Sequence, residues 1–209
     1  MPKTIGAEVF EYAELDESAK AKARDWYREG GLEYAWYDFE DAYEIAKRLG
    51  LDIKPATKHD RHNGVLFSGF WSQGDGACFV GRYNGTVDAL AQVKDWAPQD
   101  EELHRIANCL DEAQASVQHA LKANITHRGL YYHEYTMGFD FSDDSEADAV
   151  PDELMQAAEE HITEALRSFA RWIYRQLEDE YNYLNSDEAV AETIEANKYT
   201  FDSEGRRFG

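Results

Sequence analysis

Between Gly129 and Leu166 the chain has no Lys or Arg and eleven acidic residues: Glu134, Asp140, Asp143, Asp144, Glu146, Asp148, Asp152, Glu153, Glu159, Glu160 and Glu164. Such a stretch cannot be packed away, because a carboxylate taken out of water without a cationic partner is strongly unfavourable. Every element built from it must keep a face in solvent. A second block, Glu178 to Glu204, sets nine acids against Lys198 alone. Over the 209 residues, 21 Lys and Arg stand against 42 Asp and Glu, so the formal charge is 21 − 42 = −21.

That charge selects the kind of partner. A chain of this length folds to a radius of gyration near 17 Å, about 43 Å across, and B-DNA carries about 25 charges over that distance, one per ~1.7 Å of axis. The protein's net charge is of the same order. Direct binding to nucleic acid or to an anionic membrane by the bulk surface is disfavoured, and cationic protein surfaces are favoured. The competing bland reading is that acidity serves solubility, with residues 142–150 a solvated loop.

With 43% hydrophobic and 13% aromatic residues the chain can still bury a core, and its length predicts a single domain over 1–209. No run of about 18 apolar residues is present, and the N-terminus lacks a basic segment followed by an apolar one, so the sequence reads as soluble and not exported. Cys78 and Cys109 form no C-x-x-C and fit reduced thiols.

Apolar spacing and caps predict the elements. A strand near 7–13 precedes a helix from the N-cap Asp16 to Glu29, closed by Gly30-Gly31. A helix over about 33–49 has the stripe Ala35, Phe39, Ala42, Ala46, Leu49, with Glu33, Glu40 and Glu44 aligned on another face. Strands over 65–72 and 77–83 flank Gln73-Gly74-Asp75-Gly76, a hairpin signal. Pro98 is read as the first residue of a long helix with the stripe Leu103, Ile106, Leu110, Ala113, Val117, Leu121. Residues 125–141 read as one long strand. Pro151 starts a helix with the seam Leu154, Ala158, Ile162, Ala165, Phe169, Trp172, Ile173, Leu177, reaching Tyr183. Asn185 with Glu188 resembles a capping box for a short helix, and 198–201 returns as a strand. The order, with a hairpin and no βαβ alternation, predicts an α+β fold: a mostly antiparallel sheet with a central hairpin, packed against several long helices.

Candidate chemistry is thin. The hairpin gathers Ser68, Ser72, Asp75 and Cys78 among glycines, but there is no G-x-x-x-x-G-K-[ST] loop, no Lys or Arg between His62 and Arg82, and no G-x-S-x-G elbow. It reads as architecture, with Phe67, Trp71 and Phe79 filling core and Cys78 a small buried hydrophobe; a ligand cleft there is the alternative. His59-x-x-His62 lacks a third metal ligand. Asp144-x-Glu146-x-Asp148 opens like a calcium loop but has Ala149 at the sixth place and Met155 at the twelfth. His104, His119, His133 and His161 read as structural or surface residues. No catalytic residue, metal or cofactor is expected.

The strings Phe67-Ser68-Gly69-Phe70-Trp71-Ser72-Gln73-Gly74-Asp75-Gly76-Ala77-Cys78-Phe79, Ala23-Arg24-Asp25-Trp26-Tyr27, Asp187-Glu188-Ala189 and Ala196-Asn197-Lys198-Tyr199 resemble a family of small acidic tailed-phage proteins, some labelled antitoxin-like. The resemblance implies a phage gene product in the host bacterial cytoplasm, where small acidic proteins imitate DNA to inhibit host or defence enzymes. Joined to the charge, it gives the leading expectation: a non-enzymatic DNA mimic covering the basic DNA-binding surface of a host protein, DNA gyrase first, then a restriction enzyme or a CRISPR complex. The residues expected to make contact are Glu33, Glu40, Asp41, Glu44, Asp140, Asp143, Asp144, Glu146, Asp148, Asp152 and Glu153. The alternatives are an antitoxin-like partner of a basic toxin and an enzyme in the hairpin cleft. A homodimer is compatible with the sequence.

Overall fold

The computed structural model describes residues 8–30, 40–53, 64–117, 121–142 and 150–208. Glu33, Ala35, Phe39, His59, His62, His119, Asp143, Asp144, Glu146 and Asp148 lie outside them. The fold is α+β, with antiparallel sheets of five and two strands. Contacts divide the chain into two compact units, Met1–Ala35 with Glu178–Gly209, and Trp36–Leu177.

In the unit Trp36–Leu177, α2 (Glu40–Arg48) is followed by β2 (Leu51–Ile53), β3 (Gly64–Phe67), β4 (Ala77–Tyr83), α3 (Ala89–Trp96), α4 (Glu101–Val117), β5 (Lys122–His127), β6 (Met137–Ser142) and most of α5 (Asp152–Leu184). The sheet order is β2-β4-β5-β6, with β3 also on β4. Ile53 pairs with Gly81 and Gly64 with Val80, so β2 and β3 occupy consecutive positions along β4 although ten residues separate them in sequence. A Cβ on Gly81 would stand 2.4 Å from the Asp52 carbonyl oxygen, which is why this central position has no side chain.

Alternation gives the sheet two unlike faces. One row, Leu51, Tyr83, Ala123 and Phe141, points toward the helices; the first three are buried and Phe141 is partly covered. The next row, Asp52, Arg82, Asn124 and Asp140, is exposed on every strand. The core lies between the apolar face and α4 and α5: Phe79 meets Phe169 edge to face at 5.8 Å, and the Trp172 indole N–H donates to Asp100 Oδ2 at 2.8 Å. Tyr83 is fully buried, and burial pushes its phenol up to about 12 although Gln114 donates to it.

The local readings need several corrections. The strand read over 65–72 stops at Phe67, and residues 68–76 form a longer connection. Trp71, read as core, is 69% exposed with φ 71°, and Leu154, read in the α5 seam, is 48% exposed. Pro98 does not begin α4; Asp100 caps it, its Oδ1 accepting from the Glu102 and Leu103 N–H groups. Helix α3 was not foreseen. The single strand over 125–141 is two strands joined by 128–136.

The other unit is built from β1 (Phe10–Glu11), α1 (Glu17–Glu29), the end of α5, α6 (Asp187–Ala196) and β7 (Thr200–Phe201), with β1 antiparallel to β7. Asp16 caps α1 as expected, through Ala19 N–H at 2.9 Å, whereas α6 is capped by Ser186 rather than Asn185. Tyr12, Leu15, Ala19, Ala23, Val190, Ile194 and Phe201 make a small core. Arg24 and Arg28 of α1 both pair with Asp187 at the start of α6, at 3.1 and 2.5 Å.

Candidate functional site

The described acids among those named by the sequence fall in two places that the fold keeps apart. Glu40 and Asp41 are exposed in the first turn of α2, which packs beside β2. Glu44 is half-buried and already paired with Lys47 and Arg48, whose hydrogen bonds hold its carboxyl below the usual range. The aligned face expected from Glu33 to Glu44 therefore offers less free charge than its count suggested. Asp140 stands at the opposite edge of the sheet, on β6, and Asp152 and Glu153 open α5. Acids in the first turn also complement the positive end of a helix, so Glu40, Asp41, Asp152 and Glu153 have a local role.

Around β6 and the first turns of α5 part of the acidic charge is free of ion pairs among the described residues. Glu134 and Glu164 are consumed by Arg171, at 3.5 and 2.6 Å. Asp140, Asp152, Glu153 and Glu159 have no ion pair among the described residues, and Glu160 accepts only from the Gln156 amide at 3.0 Å. At 1.5 Å per residue the four acids Asp152, Glu153, Glu159 and Glu160 span about 12 Å of α5, and a duplex carries about seven charges over that length.

Next to this acidic face is an aromatic tip that the sequence reading missed. The connections 68–76 and 128–136 lie one on the other. A Cβ on Gly74 (φ +91°) would come 3.2 Å from the Tyr131 ring, and one on Gly76 would come 2.6 Å from His133 Cβ. The two glycines of Gln73-Gly74-Asp75-Gly76 thus seat the second connection. His127 Nε2 bonds the Tyr131 carbonyl at 2.9 Å, the Tyr135 N–H donates to His133 Nδ1 at 3.1 Å, and the Thr136 hydroxyl donates to the His133 carbonyl at 2.7 Å. These bonds shape the second connection, on which Leu130, Tyr131 and Tyr135 are exposed, and Trp71 on the first packs against Phe70 at 5.8 Å; the four are 60 to 91% exposed. Exposed Trp and Tyr on a pinned loop are the residue types that dominate protein–protein contacts. The signal available in the sequence was the pairing of a Gly-rich turn with a Tyr-rich one.

The tip leads into a groove of about 580 Å³ between β6 and α5, lined by Met137, Phe139, Phe141, Glu159, Glu160 and Arg167, among others. Phe139 and Phe141 stack at 6.4 Å, and the Arg167 guanidinium lies over the Tyr135 and Phe139 rings at 5.3 and 5.8 Å. Its Nε is buried with no hydrogen-bond partner among the described residues.

Cys78 is fully buried, and burial pushes its thiol up to about 12, against a weaker opposing bond from Thr136. A thiol held protonated at neutral pH is a poor nucleophile. Asp75 closes a turn, accepting from the Ser72 N–H at 2.6 Å. His104 bonds the Ala97 carbonyl at 2.9 Å and His133 holds its own loop, the structural roles read from the sequence. Among the described residues no group of three His, Cys, Asp or Glu side chains could hold a metal ion.

A family model described as Domain of unknown function (DUF8835) matches residues 34–187. The chain belongs to this family. The DUF8835 match takes in all of the unit Trp36–Leu177, and with it the aromatic tip, the β6–α5 groove and the free acids. No curated protein and no solved structure matches the chain. Among the described residues no helix is long and apolar enough to cross a membrane.

Proposed function

We propose that the protein is an acidic, non-enzymatic inhibitor that covers the basic DNA-binding surface of a bacterial enzyme, acting in the host cytoplasm as a DNA mimic. The observation that carries this reading is the set of carboxylates on α5 and on Asp140 of β6 that have no ion pair among the described residues, in a stretch without Lys or Arg from Gly129 to Leu166. Field from such a face steers a cationic partner into encounter, and exclusion of the duplex then needs no chemistry. The tip with Trp71, Tyr131 and Tyr135 adds what charge alone lacks, apolar area that fixes one docked pose. The burial that keeps the Cys78 thiol protonated weighs against a thiol nucleophile in the hairpin.

The test is displacement of a fluorescent duplex from three purified enzymes, DNA gyrase first, then a restriction endonuclease and a CRISPR surveillance complex. Release of DNA that slows steeply with added salt supports the reading. Failure to displace DNA from all three at micromolar protein overturns it.

A further inference from the structure

Among the described residues β6 has a strand neighbour on one side only, β5, which leaves its other edge facing the groove along α5. An edge of this kind presents unpaired N–H and C=O groups of alternate residues, a template for a further strand. Natural edges are blunted by Pro, bulges or charged side chains, above all Lys; Met137-Gly138-Phe139-Asp140-Phe141-Ser142 has no Lys, Pro or bulge, and Asp140 is its one charge.

The two faces of that edge differ. On the solvent face Asp140 is exposed and unpaired; on the helix face Phe139 and Phe141 stack at 6.4 Å. Directly opposed side chains on adjacent strands lie about 5 Å apart, where opposite charges attract and aromatic rings pack well against β-branched residues. Glu159 and Glu160 line the α5 side of the groove. Among the described residues Arg167 is its one cation, occupied with the Tyr135 and Phe139 rings, and its Nε has no acceptor there, a place that a backbone carbonyl would fill.

We propose that β6 takes, as an added antiparallel strand, an extended segment of the partner protein that alternates basic and β-branched residues, basic side chains toward Asp140 and β-branched ones toward Phe139 and Phe141. The sign of the segment rests on the acidic-surface reading above, but its binding does not depend on competition with DNA. Charge decides the occupant: a second copy pairing through β6 would bring −21 against −21. At about 3.4 Å per residue the six residues of β6 run about 20 Å, enough for three side chains on each face.

The experiment uses the full chain and a fluorescent eight-residue peptide alternating Lys and Val, blocked at both ends. Two derivatives are compared, one N-methylated at the Val residues and one at the Lys residues. In an added strand only one of these sets points its N–H groups at β6, so one derivative should bind at least about tenfold more weakly, from several lost backbone hydrogen bonds, and the other nearly as well as the parent. Asp140→Lys should weaken the parent peptide severalfold, and Glu29→Lys in the other unit should not. Equal binding by both derivatives would reveal charge attraction without a strand and overturn the proposal. So would absence of peptide binding, or concentration-dependent dimerisation that the peptide cannot reverse. Because no enzyme or DNA is present, these failures are distinct from failure to displace a duplex.

Discussion

Charge reversal at Asp140, Glu159 and Glu160 to Lys measures how much of the inhibition is electrostatic. None of the three is in an ion pair among the described residues, and none sits in the first turn of α5, so Asp152 and Glu153 remain to complement that helix end. A carboxylate about 6 Å from a cationic group across water gains about 332/(80 × 6), or roughly 0.7 kcal/mol. Screening with a Debye length of about 8 Å at 0.15 M salt leaves roughly 0.3 kcal/mol. Reversal replaces attraction by equal repulsion, so three sites cost about 2 kcal/mol, close to thirtyfold in affinity. At 1 M salt, with a Debye length of about 3 Å, the same variant should lose less than about threefold. The assay is competition for labelled duplex on the target enzyme at both salts, with circular dichroism to confirm folding. The matched control reverses Glu29, Glu192 and Glu195, exposed acids of the other unit, with the same change in net charge. If the control loses as much as the β6–α5 variant, net charge rather than this surface is responsible. If neither loses affinity at 0.15 M, mimicry is refuted.

Stability offers sharper tests of the fold. Gly205→Ala should destabilise by about 2 kcal/mol or more in thermal unfolding, since its Cβ would fall 2.1 Å from the Ala19 carbonyl oxygen at φ +81°. Gly69→Ala, at the same φ but with only Asp75 within 4 Å, isolates the backbone strain and should cost less. Asp100→Ala removes the α4 cap and strands the buried Trp172 N–H, a loss of about 2–4 kcal/mol, whereas Asp100→Asn keeps a capping oxygen and should lose about half as much. The Asp187 carboxyl is held below its ordinary value, first by its hydrogen bond from Arg28 and further by the charge of Arg24. Its contribution is thus fully present above the unfolded value, about 3.9, and is lost as pH falls through the lower folded value; Asp187→Asn should flatten unfolding midpoints in that acidic window. Cys78 should stay unlabelled by iodoacetamide at pH 8 in the folded chain and react once it is unfolded.

The elements legible in the sequence were those whose signals are local. Helices α1, α4 and α5 carry apolar residues at helical spacing, and Leu103, Ile106, Leu110, Ala113 and Val117 are all buried as the period required. Helix α3 escaped because its N-terminal N–H groups are capped from a distance: Asp88 has φ 63° and makes no side-chain cap, and Asp111 of α4 accepts from Ala89 and Leu90, each at 2.9 Å. No window around residue 89 contains that partner. The break between β5 and β6 was hidden for a different reason: the bonds of His127, His133 and Thr136 that bend the chain are local, but apolar alternation does not encode them.

The surface shows the same division between composition and placement. Sequence could say that carboxylates from Gly129 to Leu166 must face water, but not which would find an arginine, because Arg171 reaches Glu134 from a different element as well as Glu164 on its own helix. Trp71 misled for a related reason. Large aromatics are usually buried, yet Gly74 and Gly76 admit Tyr131 and His133 so closely that the space around this turn is filled by the other connection. Trp71 stays outside at φ 71°, a conformation uncommon for a bulky residue. Trp71 packs against Phe70 at 5.8 Å yet keeps most of its ring in solvent, and exposed aromatic area of this kind is where a partner's contact is placed. Trp71→Ala should therefore weaken partner binding by more than tenfold, the scale of an interface hot spot, while leaving the unfolding midpoint close to that of the parent; a variant that unfolds early but binds normally would return Trp71 to the architecture.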